Sequence, residues 1–89
     1  MVINAAGYLI NRGKIYAAQG RYGLAIQDFS KAIKLDPTLV MAYHCRGCVY
    51  LANGQYELGL KDWSEAYKLN PELAKALVAD VEKGQSPWP

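Results

Sequence analysis

The 89-residue sequence lacks the features that mark membrane, nucleic-acid-binding and secreted proteins. No apolar run approaches the roughly 20 residues that span a bilayer, and the N-terminal segment has neither the basic region nor the clean apolar region of a signal peptide. Acidic and basic residues are interspersed at a net charge of +2, without a basic stripe that could follow a phosphate backbone. Two cysteines do not form a disulfide framework and fit a reducing compartment. The sequence therefore predicts a cytoplasmic protein whose partner is neither a membrane nor a nucleic acid.

Recognisable catalytic motifs are missing as well. The sequence contains no glycine-rich phosphate loop, and its single histidine does not belong to a set with a serine and an acid. Its composition, 52% hydrophobic and 20% charged, is typical of a small globular domain. These observations favour a protein that is not an enzyme and that binds no cofactor.

What the sequence does have is an internal repeat. The segment from Leu9 to Pro37 aligns without a gap with the segment that lies 34 residues further on, from Tyr43 to Pro71. The identical pairs are Arg12/Arg46, Gly13/Gly47, Tyr16/Tyr50, Ala18/Ala52, Gly20/Gly54, Tyr22/Tyr56, Leu24/Leu58, Asp28/Asp62, Ser30/Ser64, Ala32/Ala66, Lys34/Lys68, Leu35/Leu69 and Pro37/Pro71. Two copies of one unit therefore account for most of the chain.

Each unit has the pattern of a helical hairpin. Apolar residues recur at spacings of three and four on both sides of Gly20 and Gly54, which are predicted to end helices in the left-handed conformation. Asp-Pro at 36–37 and Asn-Pro at 70–71 are predicted to close one hairpin and open the next helix. The predicted helices are 5–18, 22–34, 39–52, 56–69 and 72–83.

Two glycines, Gly13 and Gly47, lie inside predicted helices, where a glycine costs about 0.5–1 kcal/mol relative to alanine. Because this cost is repeated in both units, we expect a large side chain of the paired helix to approach each glycine closely. The arginines that precede them, Arg12 and Arg46, are interpreted as structural, capping carbonyls or pairing with an acid of a neighbouring helix, with partner contact as the alternative. Asp28 and Asp62 are expected to be solvated or to form local salt bridges.

The repeated unit resembles the tetratricopeptide repeat family, whose 34-residue unit carries a large residue, Leu-Gly, Tyr, Ala, Phe and Pro at fixed offsets. The matching residues are Leu9, Gly13, Tyr16, Ala25, Phe29, Ala32 and Pro37 in the first copy, and Tyr43, Gly47, Tyr50, Trp63, Ala66 and Pro71 in the second. The resemblance implies an all-α fold, a short right-handed α-solenoid of two hairpins plus a C-terminal capping helix. It would form a single domain over 1–89, with repeat 1 at about 6–39, repeat 2 at about 40–73, and the capping helix and tail at about 72–89, where the segment QSPWP is expected to be disordered or to pack Trp88 locally.

The resemblance also implies a function, because members of this family usually hold an extended peptide or a partner helix on a concave wall formed by the first helices of successive units. We call this surface the inner wall. Residues predicted to lie on it and to bind a protein or peptide partner are Ile10, Asn11, Lys14, Met41, His44, Cys45, Cys48 and Lys75. The set of lysines, asparagines and an arginine with which one subgroup grips a C-terminal carboxylate is not assembled.

His44, Cys45 and Cys48 bring a histidine next to a Cys-x-x-Cys motif, for which three interpretations are open. They are ordinary residues lining a groove or seam, ligands of a metal shared between chains, or a redox pair. A structural zinc takes four ligands, and redox cysteines normally lie at a helix N-terminus rather than in mid-helix. The sequence favours the first interpretation and no bound metal.

The ends of so short an array suggest an alternative function, a self-assembling structural module. A polar closing helix is predicted at the C-terminal end only, so Val2, Ile3, Tyr8 and Leu9 would be left partly uncovered at the other end. Exposed apolar patches of this kind tend to mark interfaces. We therefore expect the isolated chain to self-associate, as a homodimer by default, through the inner wall or the open N-terminal edge.

Overall fold

A computed structural model describes the backbone of residues 4–82 and the side chains of residues 4–79. The chain forms α1 (Ala5–Ala18), α2 (Tyr22–Leu35), α3 (Val40–Ala52), α4 (Tyr56–Leu69) and α5 (Pro71–Glu82), and no strand occurs among the described residues. The predicted all-α class is confirmed, and every observed helix boundary lies within one residue of its prediction. None of these helices is long and apolar enough to cross a membrane. The segment QSPWP, with Trp88, and the residues Val2 and Ile3 lie outside the described part.

The two tight turns inside the hairpins depend on glycine. Gly20 and Gly54 have φ angles of 75° and 80°, a left-handed conformation in which a Cβ atom would be strained. The Gly20 amide donates to the carbonyl of Ala17 at 3.0 Å, and the Arg21 amide donates to the carbonyl of Tyr16 at 2.8 Å. These two bonds close the last turn of α1 in the Schellman arrangement. Both glycines therefore end a helix, as predicted.

The junctions between hairpins use a polar side chain in two ways. Asn70 caps α5 directly, because its Oδ1 accepts a hydrogen bond from the Leu73 amide at 3.1 Å. Asp36 instead accepts from the amide and the hydroxyl of Thr38, at 3.1 and 2.6 Å, and these bonds lower the pKa of Asp36. They stabilise a turn, so α3 begins only at Val40.

The helices stack in chain order. α1 packs on α2 and α3 on α4 to form the hairpins, α2 joins the hairpins by packing on α3, and α5 packs against α3 and α4. α1 also contacts α3, and α3 contacts α5, whereas α2 and α4 do not touch within residues 4–82. Because the first helices are closer together than the second helices, they form the inner side of a short curved α-solenoid.

Each hairpin is closed by an aromatic ring that lies on a glycine. A Cβ atom built on Gly13 would lie 2.7 Å from Cε1 of Phe29, and one built on Gly47 would lie 2.5 Å from Cδ1 of Trp63. The predicted close approach of a large side chain is therefore confirmed in both units. Gly59 brings the two backbones together as well, since its Cβ would lie 2.9 Å from the Gly47 carbonyl oxygen.

Beside each glycine, an arginine pairs with an aspartate of the opposite helix. Arg12 donates to both carboxylate oxygens of Asp28 at 2.8 and 2.9 Å, and Arg46 donates to those of Asp62 at 2.7 and 2.8 Å. The two aspartates are buried, so of the two interpretations proposed for them only the salt bridge is correct. The paired carboxylates raise the pKa values of both arginines. The structural interpretation of the arginines is therefore confirmed.

The glycine contacts predict opposite effects for two substitutions of glycine by alanine. We expect Gly47→Ala to lower the free energy of unfolding by about 1–3 kcal/mol, because the new methyl group overlaps Trp63 and the nearby backbone. Gly23→Ala in α2 is the control, since no atom lies within 4 Å of its Cβ position, and it should raise stability by up to about 1 kcal/mol. Urea unfolding followed by circular dichroism measures both, and equal effects would contradict the close contact.

The ion pairs predict a strong coupling between the two partners. Arg46→Leu leaves the buried Asp62 charge unpaired and should cost about 3 kcal/mol or more. Adding Asp62→Ala should recover most of that loss, because the unpaired charge is removed. A double-mutant cycle by urea unfolding gives the coupling energy, and additive effects would show that the pair contributes nothing beyond its separate side chains.

Candidate functional site

The inner wall retains four of its predicted residues in accessible positions. Asn11 in α1 and Lys75 in α5 are exposed, while Lys14 and Met41 are half-buried. The predicted wall residues that stay accessible are thus the apolar Met41 and the hydrogen-bond donors Asn11, Lys14 and Lys75.

The other four predicted wall residues are buried. Ile10 and Cys48 are 8% and 5% exposed, and His44 and Cys45 are 1% and 0% exposed. Sequence spacing placed them on the wall side of their helices, but packing against the neighbouring helices removes them from solvent. A partner at the surface can reach these residues only after the helices separate.

Trp63 explains the position of His44. The indole ring lies on Gly47 and is parallel to the His44 imidazole within 6°, with ring centroids 5.8 Å apart. Its Nε1 donates to the carbonyl oxygen of His44 at 3.3 Å, and the His44 Nε2 lies 3.5 Å from the Cys48 Sγ. The histidine is thus held in the seam between α3 and α4.

The environment of the two thiols bears on the three interpretations of the Cys-x-x-Cys motif. Burial raises the pKa of Cys45 to about 12 and the pKa of Cys48 to about 11. Redox exchange and metal ligation both need the thiolate, which this environment disfavours. No group of three or more potential metal-ligating side chains comes together in the part of the chain whose side chains are described. The geometry therefore favours packing as the role of both cysteines.

The raised pKa values predict slow thiol chemistry. At about pH 8, iodoacetamide should alkylate Cys45 and Cys48 of the native chain more than about 100-fold more slowly than free cysteine, since fewer thiolates form and the sulfur atoms are enclosed. In urea both thiols should react at the ordinary rate, which provides the control. Mass spectrometry counts the modified residues, and rapid alkylation of either native thiol would indicate a reactive site.

The ends of the solenoid expose apolar residues that sequence analysis identified only in part. Tyr8, predicted to be uncovered at the N-terminal edge, is 57% exposed, whereas Leu9 is half-buried. Ile15, also 57% exposed, lies on the same edge and was not predicted. At the other end, α4 lines a groove of about 410 Å³ with Leu60, Trp63, Ser64, Tyr67 and Lys68. The signal in the sequence was a pair of apolar residues, since Leu60 and Tyr67 stand at the positions of Ile26 and Ile33 in the first unit.

Two protein-family models match the chain. The model described as TPR repeat matches residues 13–54, and the model described as tetratricopeptide repeat matches residues 40–73. Together they span residues 13–73, from the middle of α1 to the start of α5. A search of curated proteins found no match to the chain.

Proposed function

The chain belongs to the tetratricopeptide repeat family, and we propose that it is a non-enzymatic adaptor that binds an extended peptide or a partner helix on its inner wall. Repeats of this family generally mediate protein–protein interactions, and this general role is the premise of the proposal. The module is proposed to act as one domain over residues 1–89.

The arrangement of the first helices is the observation that carries the proposal. α1, α3 and α5 lie side by side on the inner side of the curve. The accessible residues that we assign to the binding surface are Met41 and the donors Asn11, Lys14 and Lys75. Neither α1 nor α3 contains an acidic residue. An apolar strip flanked by cationic donors fits a peptide that carries apolar side chains and carboxylate or carbonyl acceptors.

The titratable groups of the described chain support a binding role rather than catalysis. The pKa values of the paired arginines are raised, those of the two buried thiols are raised, and that of Asp36, which belongs to a turn, is lowered. Each of these shifts stabilises the protonation state that the group already has at neutral pH. General acid–base catalysis instead needs a pKa near the working pH.

The inner wall predicts which substitutions weaken peptide binding. A peptide selected by display on the wild-type chain should bind at least about tenfold more weakly to Lys14→Glu, Met41→Glu and Lys75→Glu. Each change places a negative charge where we expect acceptors or apolar side chains of the peptide. Lys61→Glu on the exposed surface of α4 has the same charge change as the two wall lysine variants and should bind as the wild type does.

Affinities are measured by fluorescence anisotropy, with circular dichroism to verify that every variant is folded. Equal affinities for all four variants would locate the binding surface elsewhere on the molecule.

Homo-oligomer formation is the second candidate function. Tyr8 and Ile15 expose more than half of their surface at one end of the solenoid, and Leu60 exposes 59% of its surface at the other end. Apolar side chains exposed at both ends favour contact between copies, because each end of a solenoid otherwise leaves a packing face open to water.

A further inference from the structure

The junction between the two hairpins shows which contacts cover an open face of this solenoid. On α3, Arg46 donates through Nη1 to the Ser30 Oγ of α2 at 3.1 Å. Ala42 and Val49 lie on the same face of α3, at spacings of four and three from Arg46, and both are 0% exposed. An arginine between two apolar residues on a first helix thus packs against the second helix of the preceding hairpin.

The same face of α1, one repeat earlier, has no cover among the described residues. Tyr8, Arg12 and Ile15 occupy the positions of Ala42, Arg46 and Val49, and we call these three residues the leading edge. Tyr8 and Ile15 are each 57% exposed. Arg12 donates through Nη1 to the Tyr8 hydroxyl of its own helix at 3.3 Å. The equivalent nitrogen of Arg46 donates instead to Ser30 of another helix.

The α2 side of the junction also has an equivalent, which lies on α4. On α2, Ile26, Ser30 and Ile33 are half-buried, with the two isoleucines packed against the core. Their equivalents on α4 are Leu60, Ser64 and Tyr67, which we call the trailing edge. Leu60 and Tyr67 are 59% and 44% exposed, and Ser64 is exposed too.

α5 packs against α4 but covers it less completely than α3 covers α2. Ala74 and Leu77 of α5 occupy the positions of the larger Val40 and Tyr43 of α3. In the sequence, Asp80 aligns with Arg46 of α3, so α5 carries no arginine at this position of the repeat. The first helix of the chain, α1, does carry that arginine at the matching position.

We propose that the leading edge of one copy packs on the trailing edge of a second copy, as α3 packs on α2 within the chain. Arg12 then turns Nη1 from Tyr8 to the Ser64 hydroxyl of the second copy, and α5 of that copy moves aside. Because Arg12 is already neutralised by Asp28, the contact brings no unpaired charge into the interface. This contact leaves Asn11, Lys14 and Met41 of the inner wall in place, whereas Lys75 moves with α5.

The two surfaces in contact are different, so each added copy presents a fresh edge. Such a head-to-tail contact produces open chains of copies, unless the rotation between copies closes a ring. A twofold dimer, by contrast, would use the same surface on both copies and would stop at two chains. This difference makes the proposal testable with one substitution on each edge.

Ile15→Glu and Leu60→Glu each disable one edge and leave the other intact. In size-exclusion chromatography with light scattering, the wild-type chain should pass from one chain to assemblies larger than two as its concentration rises. Each variant alone should have the mass of one chain. An equimolar mixture of the two should form a species of two chains and nothing larger, because only one intact pair of edges is available.

Leu35→Glu is the matched control, since Leu35 is 60% exposed on α2 and belongs to neither edge. This variant should assemble as the wild type does. In the wild-type assembly, backbone amides of α5 should exchange hydrogen faster than in the Ile15→Glu monomer, because α5 has been displaced. Circular dichroism verifies that each variant is folded. If Ile15→Glu or Leu60→Glu does not fold, the lysine substitution at the same position, Ile15→Lys or Leu60→Lys, takes its place.

Three results would overturn the proposal. A wild-type mass of one chain at every concentration would assign the exposed edges to a different partner. Dimerisation of Leu60→Glu by itself would indicate a twofold contact between leading edges. A mixture of the two variants in which both stay single chains would show that the leading and trailing edges do not bind each other.

Discussion

The contact of an aromatic ring with a glycine of the facing helix fixes the geometry of both hairpins. Phe29 lies on Gly13 and Trp63 lies on Gly47, at distances that leave no space for a methyl group on either glycine. The helices therefore approach closely, and the rest of the core forms around that approach. The larger indole of the second hairpin also stacks on His44, which removes the histidine from the surface.

Close approach makes possible the second element that both hairpins share, the bidentate pair of arginine and aspartate. At this helix separation the guanidinium of Arg46 reaches both oxygens of Asp62, and its remaining nitrogen reaches Ser30 of the other hairpin. One side chain thus joins three helices. A leucine at this position could supply apolar contact but no directional bond, so the arginine specifies the register in which the hairpins stack.

The same packing divides the surface into regions with different chemistry. The accessible residues predicted for the inner wall are a half-buried methionine, an asparagine and two lysines. The two edges carry the equivalents of residues that join the two hairpins, and the described helices leave these equivalents exposed or part-exposed. Because the two units are similar in sequence, each side of the junction between the hairpins has an equivalent surface elsewhere on the molecule. The leading edge corresponds to the α3 side of that junction, and the trailing edge corresponds to the α2 side.

The sequence by itself determined the helices, their bounds and the all-α architecture. Glycines at helix ends, proline after a capping residue and the apolar period are local signals, and each acts within a few residues of the structure it specifies. The repeat added a long-range prediction, the close approach of a large side chain to each glycine, because the same helix-breaking residue occurs at the same point of both units. The choice between solvated and paired aspartates was not determined, since it depends on the distance between two helices.

Only the tertiary structure decided which wall residues face solvent. Ile10, His44, Cys45 and Cys48 have the spacing of wall positions, yet they are buried, whereas Asn11, Lys14, Met41 and Lys75 keep access to water. The spacing of residues along a helix gives the direction in which a side chain leaves it. Burial depends in addition on how near the neighbouring helices lie and on how large their side chains are, and both are properties of the packed molecule.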